Sequence, residues 1–325
     1  MKNYTVKRYE TADYVQWNAF IDKAKNATFL FQRDFMEYHS ERFSDFSLLV
    51  FEDSKLVSVV PANRAEGMVF SHQGLSYGGF VIEANARMSK VLKIVREVLF
   101  FLNQNGIATF QVKLLPFFYN DFLSDETQYT LFLCDAKLVR RDCLSVIDLS
   151  KPFSYSENKK RKVKKGKSNG FLIVEENDFE GFWNQVLIPN LQQKHSVSPV
   201  HSLEEITLLK QRFPENIRQF NVYQNGKIVA GTTIFETPNA AHAQYISGNP
   251  EQNEVGSIDF LFNFLLQDIY PNKAFFDFGI SNENAGRNIN EGLLYWKESF
   301  GAKAVMQDFY EIKTANFIQL ENILI

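Results

Sequence analysis

Gln219-Phe-Asn-Val-Tyr-Gln-Asn-Gly-Lys227-Ile-Val-Ala-Gly-Thr-Thr-Ile-Phe235 reads as strand, Asn225-Gly226 turn, strand. Asn-Gly between apolar runs marks a two-residue hairpin, because the turn needs positive φ at both central positions and these residue types adopt it readily. An earlier stretch, Ser47-Leu-Leu-Val-Phe-Glu-Asp-Ser-Lys55-Leu-Val-Ser-Val-Val-Pro61, has the same form around Asp53-Ser54. A further strand follows each hairpin, Gly67–His72 in the first half and Ala240–Ser247 in the second. A helix comes next. Met88–Asn103 carries apolar residues at 91, 92, 95, 98, 99 and 102, one stripe of a helical surface. Ser257–Ile269 repeats the stripe with Ile258, Leu261, Phe262, Leu265 and Leu266. An apolar strand closes each set, Ala108–Leu115 and Ala274–Gly279. One order of elements recurring after about 170 residues identifies an internal duplication.

Helical sequence precedes each hairpin: Asp13–Lys23 and Arg33–Glu41 in the first half, Phe179–Gln193 and Ser202–Arg212 in the second. Ser202-Leu-Glu-Glu205 has the form of a capping box, in which Glu205 reaches back to the cap amide. The 325 residues suit two domains, placed here at 1–150 and 151–325, the second opening with a basic segment at 157–167. The fold class is α/β with mixed sheets.

A net charge of −3 excludes a whole-chain field that would recruit nucleic acid or an anionic membrane. Cys134 and Cys143, the only cysteines, have no zinc-site spacing and make no disulfide framework, which fits a reducing compartment. The first eight residues form no apolar leader, and the longest apolar run, near Val91–Leu102, is broken by Lys93, Arg96 and Glu97. The expectation is a cytoplasmic protein with no membrane span and no metal.

Four stretches offer chemistry. Lys or Arg occupies 159–162, 164, 165 and 167, a clamp for phosphate oxygens in which Lys159, Arg161, Lys164 and Lys165 are the candidate contacts. The alternative is a solvated helix face. No aromatic residue interleaves the charges as a nucleic-acid stacking platform would require. Second, Asp277–Gly301 passes from a strand end through a polar loop into a helix, and loops at strand carboxyl ends are where α/β sheets hold ligands. Asn282, Glu283, Asn284, Arg287 and Asn288 are candidate substrate contacts there. Third, Phe70–Phe80 and Ala241–Gly248 place His72, Tyr77, Gln244, Tyr245 and Ser247 near strand ends. His72 or Tyr245 at such a point suits a general base for an attacking amine. Fourth, Lys194–Ser202 carries His195 and His201 in a Ser/Pro loop, as contacts to an acceptor.

Helix, helix, hairpin, strand, helix, strand is the order of the Gcn5-related N-acetyltransferase (GNAT) fold, and two copies in one chain resemble the Fem-type aminoacyltransferases. The motif Gly292-Leu-Leu-Tyr-Trp-Lys-Glu-Ser-Phe-Gly301 after strand-Asp277-Phe-Gly279 carries the resemblance, with Gly170–Glu175 after the basic segment and Phe31-Gln32 near the start. The resemblance implies that Lys297 lies in the transfer cleft and stabilises negative charge on the donor carbonyl or its leaving group, with Trp296 beside it. It also implies acyl-CoA or aminoacyl-tRNA as donor, and no permanently bound cofactor. The acceptor is an amine on a small molecule or cell-wall precursor: a peptidoglycan precursor, an amino sugar or a related metabolite, with donor and acceptor meeting between or beside the lobes.

An ordinary acetyltransferase cradles coenzyme A pyrophosphate on amides at a helix start. Gly256 and Ser257 occupy that place in the second copy, but Glu251 and Glu254 precede them. The first copy has no glycine over Glu83–Ser89. The readings left open are aminoacyl or acyl transfer, a coenzyme A-dependent N-acetyltransferase acting on a small amine, and a non-catalytic protein that binds a phosphorylated ligand.

Overall fold

The computed structural model describes residues 2–324, apart from the side chains of Lys194 and His195. The chain forms two compact units, one comprising everything up to Asp142 together with the segment from Met306 onward, the other Cys143–Val305.

The second unit is a mixed sheet covered on both faces. Strands Leu172–Glu176, Ile217–Gln224, Lys227–Glu236 and Ala240–Gly248 run antiparallel in that order, and Phe275–Ile280 joins the last of them in parallel. Residues 144–148 of the long strand Lys137–Asp148 then pair antiparallel with Phe275–Ile280. The predicted hairpin turn is present, with φ of 51° at Asn225 and 75° at Gly226. Eight consecutive residues of Lys227–Glu236 are buried, as expected of a strand with both faces covered. The helix Ser257–Phe264 supplies one cover and continues as a π-helical turn, Leu265–Ile269. Its Leu261, Phe262, Leu265 and Leu266 pack with Phe220, Phe276, Phe278 and Phe300. The abundant phenylalanine is thus core. Ser202 and Glu205 form the predicted reciprocal cap of the Leu203–Arg212 helix.

The first unit departs from its copy. Its hairpin, Leu48–Glu52 and Lys55–Val60, lies in a four-stranded sheet with Tyr4–Arg8 and Val81–Ile82. The next strand is only Met68–Phe70, and it pairs in parallel with Thr109–Lys113 in a separate sheet. Residues 309–313 of the final strand, Lys303–Lys313, pair antiparallel with Thr109–Lys113. The helix Met88–Gln104 buries the predicted stripe, Val91, Leu92, Val95, Val98, Leu99 and Leu102.

The basic segment is a helix, Glu157–Ser168, started by Ser156, whose Oγ accepts the Lys159 N–H at 3.2 Å. Its buried face carries Lys159 and Gly166. It crosses the Ser257–Phe264 helix at backbone distance: a Cβ on Gly166 would lie 2.4 Å from the Gly256 carbonyl oxygen, and one on Gly256 2.3 Å from that of Lys162. At this crossing Lys159 forms a buried ion pair with Asp259 and stands 3.9 Å over the Phe300 ring. Burial draws the Lys159 ammonium down to about 8 against the pull of Asp259. Breaking a buried pair strands the remaining charge, at a cost of roughly 3–5 kcal/mol. Lys159→Ala should therefore lower the denaturant midpoint strongly, whereas Lys160→Ala, on the exposed face, should leave it unchanged; equal midpoints would refute this account of the crossing.

Candidate functional site

Parallel strands separate when their ladder stops, and here it stops early. Ala240–Gly248 and Phe275–Ile280 share three rungs, Ala240↔Phe275, Ala241↔Phe276 and His242↔Asp277. Past His242 the first strand carries a bulge, since Thr233 pairs with Tyr245 and Ile234 with Ala243, leaving Gln244 as the extra residue. At the last rung His242 Nδ1 lies 2.8 Å from Asp277 Oδ2. Asp277 is 1% exposed and His242 18%. The other carboxylate oxygen, Oδ1, accepts the Gly279 N–H at 2.7 Å.

Gly279 ties this pair to Lys297. Its φ is +72°, and a Cβ there would lie 3.3 Å from His242 Cε1. On the other side, Lys297 Nζ donates to the carbonyl oxygens of Gly279 at 3.0 Å and Ile280 at 2.6 Å. Lys297 lies on the helix Glu291–Glu298, whose start Asn290 caps by accepting the Leu293 N–H at 3.0 Å. Burial draws Lys297 down to about 8, opposed by Asp277 and by Cys143. The Cys143 thiol is pushed up by burial and by Glu298. The Cys143 N–H donates to Asn282 Oδ1 at 2.6 Å. One peptide stretch, 277–282, thus carries a carboxylate–imidazole pair, a buried ammonium and the anchor of the polar loop.

Several residues chosen from sequence occupy other settings. Of the loop, Asn282 reaches this cluster. The rest folds on itself as a two-stranded ribbon, Asn282–Glu283 with Asn288–Ile289. Asn284 donates to Asn288 and Asn290 to Glu283, and Arg287 is exposed. Trp296 is half-buried against the core, its indole N–H donating to Asp259 at 3.1 Å and its ring packed against Phe262, Phe278 and Phe300. Tyr245 and His201 pair with each other. The Tyr245 hydroxyl accepts the His201 N–H at 3.0 Å and lies 2.6 Å from His201 Nδ1. Burial raises the Tyr245 hydroxyl well above its usual range, which keeps it protonated and unsuited to act as a base. Ser247 accepts from Asn190 at 3.0 Å. The side chain of His195 lies outside the described residues.

The phosphate candidates divide likewise. Lys159 is committed to Asp259, and Gly256 and Ser257 are buried beneath the Glu157–Ser168 helix. Arg161, Lys164 and Lys165 are exposed on that helix. His72 and Tyr77 belong to the first unit. His72 is buried at a φ of 67°, and burial together with His39, Lys113 and Arg33 brings its imidazole down to about 3, so it stays neutral. The Tyr77 hydroxyl donates to Thr28 at 2.9 Å. The first unit also holds a cavity of about 320 Å³ whose lining includes Gly78, Gly79, Gln307 and the Arg141–Asp308 pair.

His242 is the residue that sequence reading passed over. Its signal is faint, a histidine at the start of a strand whose partner lies on another strand. Among the described residues no three His, Cys, Asp or Glu side chains gather as metal ligands do. Nor is any helix long and apolar enough to cross a membrane.

No family model and no curated protein matches the chain. Solved structures do. FemX has a TM-score of 0.69 at 10% identity, covering 98% of this chain and 99% of its own. The C-terminal domain of a putative lysylphosphatidylglycerol synthetase from Agrobacterium fabrum scores 0.62 at 12% identity, covering 95% and 94%. A tandem GNAT protein from the clavulanic acid biosynthesis pathway scores 0.51 at 11%, covering 97% and 99%. Over nearly its whole length this chain has the Fem-like tandem GNAT fold.

Proposed function

We propose that the chain is an aminoacyltransferase that moves an aminoacyl group from an ester donor, aminoacyl-tRNA, onto an amine, with the transfer centre in the second unit. The observation that carries this reading is Lys297: a buried ammonium held by two strand-end carbonyls where the parallel strands part. An ammonium has three donors. With two fixed by Gly279 and Ile280, the third is preorganised for an oxyanion in a site of low dielectric. The shared fold of FemX and of the synthetase domain supports the same class of reaction.

The helix start at Ser257 supports this choice of donor. Pyrophosphate needs open amides there. In this chain the Lys162 carbonyl and Gly166 fill the approach to Gly256 at backbone contact. The exposed Arg161, Lys164 and Lys165 instead offer charge to a phosphodiester backbone. The acceptor class is an amine of a cell-wall precursor, an amino sugar or a related metabolite.

The test offers the full chain mixed aminoacyl-tRNA, or acetyl-CoA, with lysyl peptides and glucosamine as acceptors, and reads amide products by mass. Amide formed from aminoacyl-tRNA supports the proposal, acetyl transfer alone reassigns the donor, and no product with either donor rejects an enzyme of this class. Lys297→Met should lower kcat about 10²- to 10³-fold, the cost of losing one oxyanion donor. Lys297→Arg should not restore it, because a planar fork does not replace a compact ammonium. Since burial brings Lys297 down to about 8, the ammonium loses its proton as pH rises through that value. The wild-type rate should accordingly fall on the alkaline side, and a rate still rising well above pH 8 would contradict the role.

A further inference from the structure

We infer that His242, oriented by Asp277, is the general base that takes the proton from the attacking amine. The inference rests on the transfer reading above and adds the group that reading lacks. An amine becomes an amide nitrogen only by losing a proton, so a base must stand near the carbonyl under attack. Lys297, as an ammonium, cannot be that base. Tyr245 is held protonated against His201, and His72 lies in the first unit.

His242 meets the geometric requirements. It occupies the last shared rung, at the point where the parallel ladder stops. A Cβ on Gly279 would lie 3.3 Å from its Cε1, and the Gly279 carbonyl holds Lys297, so base and ammonium lie on either side of one glycine. Its Nδ1 faces Asp277 at 2.8 Å. An ionised carboxylate only accepts, which places the imidazole proton on Nδ1 and the lone pair on Nε2. Asp277 is itself fixed by the Gly279 N–H at 2.7 Å and is almost wholly buried, so the tautomer is locked by a rigid partner. The ring retains some exposure, as a group that must meet substrate requires.

The charged group that faces its ring is Asp277 on the partner strand; Asp277 also acts on Lys297, and Lys297 and Glu298 act on Cys143 on the next strand. Beyond Phe235, its neighbour on the other side, lie His201 and Tyr245.

The step balances within these residues. The amine nitrogen bonds to the carbonyl carbon while its proton passes to His242 Nε2. The carbon–oxygen bond of the donor ester then breaks. The imidazolium returns the proton to the leaving oxygen, giving amide and free hydroxyl and restoring neutral His242. Lys297 faces the oxygen that becomes negative in between. Asp277 acts through His242 and is a positioning residue.

Two measurements test this, the first without substrate. Nitrogen-15 NMR of the full chain should show the His242 ring protonated at Nδ1 when neutral, and Asp277→Asn should disturb that preference. A ring protonated at Nε2 would overturn the inference whatever the transfer assay shows. In the second, with the donor and acceptor that give product, His242→Gln should lower kcat about 10²- to 10⁴-fold and leave KM nearly unchanged. His242→Gly should regain rate on addition of imidazole, which a packing role would not produce. A wild type that transfers while His242→Gln keeps full rate overturns the base and leaves the transfer reading standing. A wild type inactive with every donor removes both.

Discussion

A buried carboxylate costs several kcal/mol unless donors and cations surround it, and Asp277 has to meet that cost where two strands are about to part. It does so with the Gly279 amide, the His242 ring and the nearby Lys297 ammonium. Each has its own dependence. The amide reaches Asp277 because Gly279 takes a φ of +72°, which other residues rarely adopt. The ring is there because the parallel ladder extends as far as His242. The ammonium is there because the Glu291–Glu298 helix carries it beneath the strand end. Removing the carboxylate would leave the imidazole undirected and the lysine with less to hold its charge in a buried setting.

A second constraint sets what can approach. The helices Glu157–Ser168 and Ser257–Phe264 meet through Gly166 and Gly256 at backbone contact, so neither position has room for a side chain. The basic helix therefore has two faces with different duties. Lys159 points inward and binds helix to helix through Asp259, while the outward cations remain in solvent.

Much of this was legible in the residues. The Asn225-Gly226 turn, the Ser202–Glu205 cap and the Val91–Leu102 stripe are local signals, and each element forms where its signal lies. The strand Lys137–Asp148 was not legible, because Arg140, Arg141 and Asp142 interrupt any apolar alternation. Their charges are balanced by pairing, Asp142 with Arg140 and Arg141 with Asp308, the latter far along the chain. Lys159 was grouped with the phosphate contacts, since a run of lysines has no contrast to show which one faces inward. His242 and Asp277 come from separate strands, and only the parallel register brings them together. Of the residues favoured as base instead, Tyr245 is satisfied by His201 and His72 lies in the other unit.

The division of the chain also bears on how it reaches this state. Cys143–Val305 is one continuous segment, whereas the other unit needs residues 309–313 as the antiparallel neighbour of Thr109–Lys113. During synthesis the earlier-made half must wait, its strand edge unpaired, until the last part of the chain has emerged. The later-made unit has all its strands first. This connectivity runs against the N-terminal-first order usual for tandem domains, and leaves the edge of Thr109–Lys113 that residues 309–313 will cover open to mispairing in the interval.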